Sequence, residues 1–512
     1  MSLQSLGITR TNSSTDLVPK EGDEEEAVAA SDLREDGFAG QLGVAGRGIP
    51  LQYSYMPVWT REPAGSKSLE EFHGSVHVPD EGGPVSWRKL AAYFGPGLLV
   101  AVGYMDPGNW STDIAGGSGF GYSLLFVVSV SSLMAMFLQA LALKCGLVAR
   151  RDLAQCCRDS YPWPVCYLLW FIAECAIIAT DLAEVIGSAI ALKLLFQLPL
   201  IAGVALTAVD VLLFLFLIGR SIKVIEAVVG CLILLITVCF CVQMSMSKPP
   251  AIPLLLGFLP SEQIFNDPGC LFVAVGIIGA TVMPHNLFLH SSIVLTRSIS
   301  LDAGTADAAG AAGTGNDDPR NKEGLKEALK YAFWDSTVSL SFAWFVNSSI
   351  LIVAASAFHK HGYTDIVDLE DAYKLLTPVL GNSAGAYLFA IALLASGQNA
   401  TLTGTLTGQI VMEGFTSYHV QPFTRRVATR LLAIVPAVIA VSVGGDGSAN
   451  NLLIFSQVFL SFALPFAIFP LVHITSDAAK MGEFVNGRWT AVAAYLIGLL
   501  ILSLNVLVFI PR

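Results

Sequence analysis

Gly103-Tyr104-Met105-Asp106-Pro107-Gly108-Asn109 interrupts an apolar run that begins near Leu90. An ionised Asp in such a run costs several kcal/mol in a bilayer unless it is partnered. Pro107 and Gly108 break the helix and release backbone carbonyls. A second stretch, Ala280-Thr281-Val282-Met283-Pro284-His285-Asn286, repeats the pattern later in the chain. Aligned on Pro107 and Pro284, Asp106 falls opposite Met283 and Asn109 opposite Asn286. The pair reads as an ion site built from two broken membrane helices.

The composition supports that setting. Of 512 residues, 54% are hydrophobic and only 13% charged, where a soluble chain carries about 25% charged residues. Apolar runs long enough to span a bilayer recur, so the chain is an all-α, multi-pass membrane protein. The net charge of −11 sits largely in the N-terminal tail and the loops, and no Lys/Arg run suggests nucleic acid. The nine cysteines include no CxxC pair and read as small buried hydrophobes. No constellation suggests an enzyme, and no resident cofactor is expected.

Residues 1–86 are polar, with an acidic run from Glu21 to Glu26, and are expected to form a disordered cytosolic tail. The membrane domain then fills 87–512. Eleven helices are expected: 90–117, 122–147, 164–195, 199–218, 222–246, 269–297, 328–358, 383–413, 425–443, 449–473 and 488–510. The linker 301–321 is low-complexity and expected to be flexible. With the N-terminus in the cytosol, the inside loops hold eighteen Lys/Arg and the outside loops five; the tail holds the other six of the 29. That asymmetry fixes an N-in, C-out topology. Five helices separate the two breaks, so helices 1–5 (about 90–246) and 6–10 (about 269–473) enter the membrane from opposite sides. This is an inverted 5+5 repeat with discontinuous helices 1 and 6, substrate at the midplane and one extra helix at 488–510.

The midplane site would offer the Asp106 carboxylate, the Asn109 amide oxygen with that of Asn286 as a further candidate, the Met283 thioether, and freed carbonyls near Gly103 and Ala280. One negative charge with hard oxygens suits a divalent cation. Sulfur adds little for Ca²⁺ or Mg²⁺ but is acceptable to Mn²⁺, Fe²⁺, Co²⁺, Zn²⁺ or Cd²⁺. Gln457 is either an extra oxygen ligand in one conformation or a helix–helix hydrogen bond. A sodium-coupled amino-acid symporter on the same repeat would present bare amides at the first break, where Asp106 would repel a carboxylate. A metal sensor would need a large soluble output domain.

Helix 3 carries Glu174, Asp181 and Glu184 on one stripe, since Asp181 and Glu184 are i,i+3 and Glu174 and Asp181 i,i+7. The functional reading is a proton relay, and the bland one a set of interhelical bonds. His285 either joins the relay or caps the second half-helix. Arg425, Arg426 and Arg430 open helix 9. They either snorkel to the interface or send one member inward to a helix 3 carboxylate. The Gly- and Thr-rich run from Ala395 to Phe415 reads as a close-approach helix surface.

Asp106-Pro-Gly-Asn109, Met283-Pro-His-Asn286, Ala179-Thr-Asp-Leu-Ala-Glu184 and Gly408-Gln-Ile-Val-Met-Glu-Gly414 together resemble the Nramp family of metal transporters, over roughly 88–510. The resemblance implies a LeuT-like fold and proton-coupled uptake of Mn²⁺ and Fe²⁺ toward the cytosol, with Cd²⁺, Co²⁺ or Zn²⁺ as lesser substrates. It implies Asp106, Asn109, Met283 and the carbonyls of Gly103 and Ala280 as metal ligands, joined by Gln457 in some states. His285, Glu174, Asp181, Glu184 and one of Arg425 and Arg426 would form the proton pathway. One departure is Gly103, where Ala is the family pattern; because only the carbonyl is used, no more than a looser break is expected. The partners implied are divalent metal ions, protons and lipid. The chain is expected to act as a monomer in the plasma membrane or a vacuolar or endosomal membrane.

Overall fold

The computed structural model describes residues 68–69, 72–78, 87–209, 221–298, 319–364, 366, 368–417 and 421–508. The first 67 residues of the expected tail, the second half of the expected helix 199–218 and the linker up to 318 lie outside them.

After a short helix, Trp87–Tyr93, the chain forms α1 (Pro96–Gly103), α2 (Pro107–Phe120), α3 (Leu125–Ala149), α4 (Leu153–Ser160), α5 (Trp163–Phe196), α6 (Leu200–Leu206) and α7 (Ile222–Ser247). The second run is α8 (Pro268–Val282), α9 (Pro284–Ile293), α10 (Pro319–Ala357), α11 (Leu369–Leu380), α12 (Ser383–Thr416), α13 (Pro422–Gly444), α14 (Asp446–Ala463), α15 (Pro465–Thr475) and α16 (Arg488–Val508). Proline opens α1, α2, α8, α9, α13 and α15 within their first turn, where its missing N–H is no loss. α10 starts at Pro319, inside the expected linker. The expected helix 449–473 is kinked at Leu464-Pro465, because Pro465 cannot close the ladder to Ser461.

Among the described residues, eight helical segments are long and apolar enough to cross a membrane. α1 and α2 are each too short for that measure, and α12 is diluted by its Thr and Gly residues. α5 packs along α12, α13 and α14, while α10 covers α1, α2 and α3. α2 lies against α8, so the two interrupted helices meet in the centre of the bundle. All nine cysteines are free. The loop helix α11 was not anticipated; it carries Glu370 and Asp371 in its first turn, and Glu370 pairs with Lys193 at the end of α5 at 2.5 Å.

The tail needs a correction. Within the span expected to be disordered, Leu69, Phe72, Val76 and Val78 are buried in the described structure. Ser68 Oγ donates to Asp152, and the Leu69 N–H donates to Glu413 Oε2 at 3.1 Å. Val76–His77 (β1) pairs in parallel with Arg297–Ser298 (β2). The alternation Val76-His77-Val78, buried-exposed-buried, is a two-residue period. Averaged over 86 polar residues, that local signal disappears.

Candidate metal-ion site

The break between α1 and α2 follows from backbone chemistry. The Gly103 carbonyl should accept from residue 107, and Pro107 has no N–H. At the second break the Ala280 carbonyl faces the same lack at Pro284. The C-terminal ends of α1 and α8 therefore bring unanswered carbonyls and the negative ends of two helix dipoles to the core, an arrangement that favours a cation. The unwound residues between α1 and α2 are anchored from three sides. The Tyr104 carbonyl accepts from Asn347 Nδ2 at 2.8 Å, and the Met105 carbonyl accepts from Trp110 Nε1 at 3.2 Å and from Ser396 Oγ.

Asp106 is the N-cap of α2, with φ −70° and ψ 166°, and its Oδ1 accepts from the Asn109 N–H at 2.8 Å. Met283 holds the corresponding place with φ 32° and ψ 114°. A positive φ in a non-glycine residue costs about 1–3 kcal/mol and persists where the surroundings impose it. The thioether is fully buried among Ala176, Leu460 and Ala463, with Ile172 and Ala179 beside them. Asn286 Nδ2 donates to Met283 Sδ at 3.8 Å.

Among the described residues, four buried oxygens around the breaks find no hydrogen-bond partner: Asp106 Oδ2, Asn109 Oδ1, Asn286 Oδ1 and Gln457 Oε1. Orphaned buried acceptors are expensive unless something positive meets them. Gln457 Nε2 donates to Ser456 Oγ at 3.0 Å, and its carboxamide rests on Gly108, where a Cβ would overlap it. Gln457 therefore lies at the first turn of α2. Among the described residues no three His, Cys, Asp or Glu gather to hold a metal. One carboxylate, amide oxygens and a thioether suit a cation held reversibly.

The second constellation is tightly built. Arg425 Nη2 donates to Glu174 at 2.9 and 3.0 Å. Arg426 Nη1 donates to Asp181 Oδ1 at 2.6 Å, and Arg426 Nη2 reaches Glu184 Oε2 at 3.4 Å. Arg430 Nη1 reaches the same oxygen at 3.5 Å, and Thr401 Oγ1 donates to it at 3.1 Å. All three arginines point inward, so the snorkelling reading is replaced, and Arg430 joins a group in which the sequence had placed only Arg425 and Arg426. Gly408 leaves the room: a Cβ there would overlap the Arg425 guanidinium. Thr180 Oγ1 and His285 Nδ1 are 3.4 Å apart, which places His285 between the second break and the stripe on α5.

Three further groups escaped the sequence reading. Asp113 is buried, two turns after Asp106 on the same face of α2, with Oδ2 unpartnered. Asp335 of α10 accepts from the Gly95 and Gly97 N–H groups at 3.2 and 2.7 Å, capping the start of α1. Arg297 pairs with both oxygens of Glu226 at 2.6 and 3.0 Å and donates to the Ala92 and Phe94 carbonyls, each at 3.0 Å. The signal was available in each case, a carboxylate inside an apolar helix.

The sequence pattern of the natural resistance-associated macrophage protein-like family matches residues 97–511. The chain belongs to the Nramp family. A Listeria welshimeri protein named divalent metal cation transporter MntH is 51% identical over 446 residues, covering 87% of this Nramp chain and 95% of the relative. A Bradyrhizobium diazoefficiens protein of the same name is 49% identical over 447 residues, with 87% and 95% covered. Among solved structures, the Eremococcus coleocola manganese transporter is 41% identical, with a TM-score of 0.77 over 86% of this chain and 90% of its own. Mhp1, a nucleobase-cation-symport-1 transporter, reaches a TM-score of 0.52 at 13% identity, a likeness of fold alone. This Nramp chain is a LeuT-like multi-pass membrane transporter.

Proposed function

We propose that the protein carries divalent transition-metal cations, Mn²⁺ and Fe²⁺ foremost, toward the cytosol in symport with protons by alternating access. The observation that carries the reading is the set of four unpartnered oxygens around the two breaks, with the Met283 thioether held beside them. The names of the Listeria and Eremococcus relatives support the substrate class. In this reading Asp106 supplies charge. Asn109, Gln457 and the Gly103 and Ala280 carbonyls supply hard oxygens, and Met283 makes the site acceptable to softer ions. Protons leave by His285 and the Asp181, Glu184 and Glu174 stripe, whose charge Arg426, Arg430 and Arg425 balance.

Eleven spans complete the design: the eight apolar segments, the interrupted α1–α2, α12, and the span that begins with α6. The N-terminus is cytosolic, the C-terminus faces the side metal comes from, and the unit is a monomer in the plasma membrane or a vacuolar or endosomal membrane. Opening toward the cytosol requires α1 to leave its Asp335 cap and the Arg297–Glu226 pair beside it. One M²⁺ and one H⁺ moving inward carry three charges, roughly 7 kcal/mol of drive per 100 mV at about 2.3 kcal/mol per charge.

Proteoliposomes with an imposed pH gradient provide the test. Labelled Mn²⁺ should enter with the gradient acidic outside and slow when it is collapsed. Entry of labelled amino acids without Mn²⁺ would sink the substrate class. Mn²⁺ entry indifferent to the gradient would sink the proton coupling.

A further inference from the structure

The described residues between Ser68 and Val78 form a strap across the ends of several helices. At its start, Ser68 Oγ donates to Asp152, the N-cap of α4, and the Leu69 N–H donates to Glu413 of α12. Further on, the Gly74 N–H donates to the Leu295 carbonyl at 3.0 Å, and Val76–His77 pairs with β2, just past α9. Val78 packs in a small buried cluster with Tyr93, Leu143, Val294, Ala328 and Tyr331. Tyr93 closes the short helix before α1, and its ring stacks on Tyr331 of α10 with centroids 5.1 Å apart. The strap therefore joins α4 and the end of α12 to the exit of α9 and the foot of α1.

Its partner strand also holds the base of α1. Arg297 of β2 pairs with Glu226 and donates to the Ala92 and Phe94 carbonyls. Val76 lies in register with Arg297, so the strand pairing fixes the backbone that aims this guanidinium. We infer that the strap is a latch: docked, it holds α1 and the exit of α9 closed on the cytosolic side, and it must lift before α1 swings. The inference rests on the alternating-access reading above. A latch has to be releasable, and the strap is built that way. Its apolar anchors, Leu69, Phe72, Val76 and Val78, work against the entropy of ordering the chain around them, which leaves a small net hold. Segments held so lightly open locally without global unfolding.

Two measurements on the full chain test the latch. The first is amide hydrogen exchange in lipid nanodiscs without metal ion. Ser68→Asp sets a charge against Asp152 and Glu413, and Val76→Asp buries one further along the strap. Each should speed exchange at Gly97 and Leu99 of α1 roughly tenfold, the scale of one lost buried contact, while Asn109 and Trp110 of α2 keep their protection. Unchanged exchange in α1, or a rise shared equally by α2, overturns the latch. The second ties the paired strands with His77→Cys and Ser298→Cys, oxidised by glutathione disulfide and with the bond confirmed by mass. Mn²⁺ uptake in proteoliposomes should fall about tenfold against the same protein after reduction, with each single variant unaffected. Equal uptake by the oxidised and reduced forms also overturns the latch. A wild-type chain that takes up no Mn²⁺ refutes the transport reading instead, and exchange at α1 still decides the latch.

Discussion

Two buried clusters of charge lie close together in this bundle and are finished differently. On α5, each carboxylate has an arginine: Glu174 has Arg425, Asp181 has Arg426, and Glu184 has Arg426 and Arg430. At the first break, Asp106 has only backbone and amide company, and its Oδ2 is left over. A buried carboxylate without a cation is costly, so a place where the protein withholds its own cation is where a foreign one is welcome. In the proposed reading, the contrast separates a polar path that stays in the protein from a seat for a transported ion.

The largest test of that contrast removes the withheld charge. Asp106→Ala should reduce Mn²⁺ uptake to background while the protein keeps its elution profile and thermal stability. If stability collapses instead, Asp106 is a structural carboxylate and the two clusters are alike. Next, Arg426→Gln leaves Asp181 and Glu184 without their shared guanidinium inside the bundle. Breaking a buried pair from one side costs about 3–5 kcal/mol, so the melting temperature should fall clearly, unlike that of Asp106→Ala. Met283→Ala should act on choice rather than on rate. Mn²⁺ uptake should persist in part, while discrimination against Ca²⁺ falls by about an order of magnitude, or about 1.4 kcal/mol. Unchanged Ca²⁺ exclusion would remove the thioether from the account.

The smallest effect concerns a carboxylate outside the spans. Burial pushes the Asp152 carboxyl up to about 6, against the hydrogen bonds from Ser68 and the Gln155 backbone and the nearby Arg158, which favour its charged form. A carboxyl that binds its proton more tightly when folded loses stability as pH rises from about 4 to about 6 and is flat above that. Asp152→Asn should flatten that slope while keeping the α4 cap, as read by thermal melts across that pH range. An unchanged slope would assign it to another group.

Much of the candidate site was legible because prolines and charges in apolar runs announce themselves. Asp106, Asn109, Met283 and the α5 stripe needed only position and period. Arg430 was left open because a basic residue at a helix end reads equally as a membrane anchor. Only the packing of α13 on α5 turned it inward. Asp113, Asp335 and the Glu226–Arg297 pair were overlooked beside stronger motifs. The docked segment around Val76 was lost in the average composition of its surroundings.

The sequence by itself determined that this is a multi-pass membrane protein and where a helix carbonyl meets proline instead of an N–H donor, because proline lacks an N–H wherever it sits. Tertiary structure alone decided which polar groups are answered and which are left open. Hydrogen bonding is a relation between distant residues: Arg426 satisfies Asp181 only because α13 lies on α5. Asn286 can lean on Gly103 only because two breaks 177 positions apart, from Pro107 to Pro284, meet in one place.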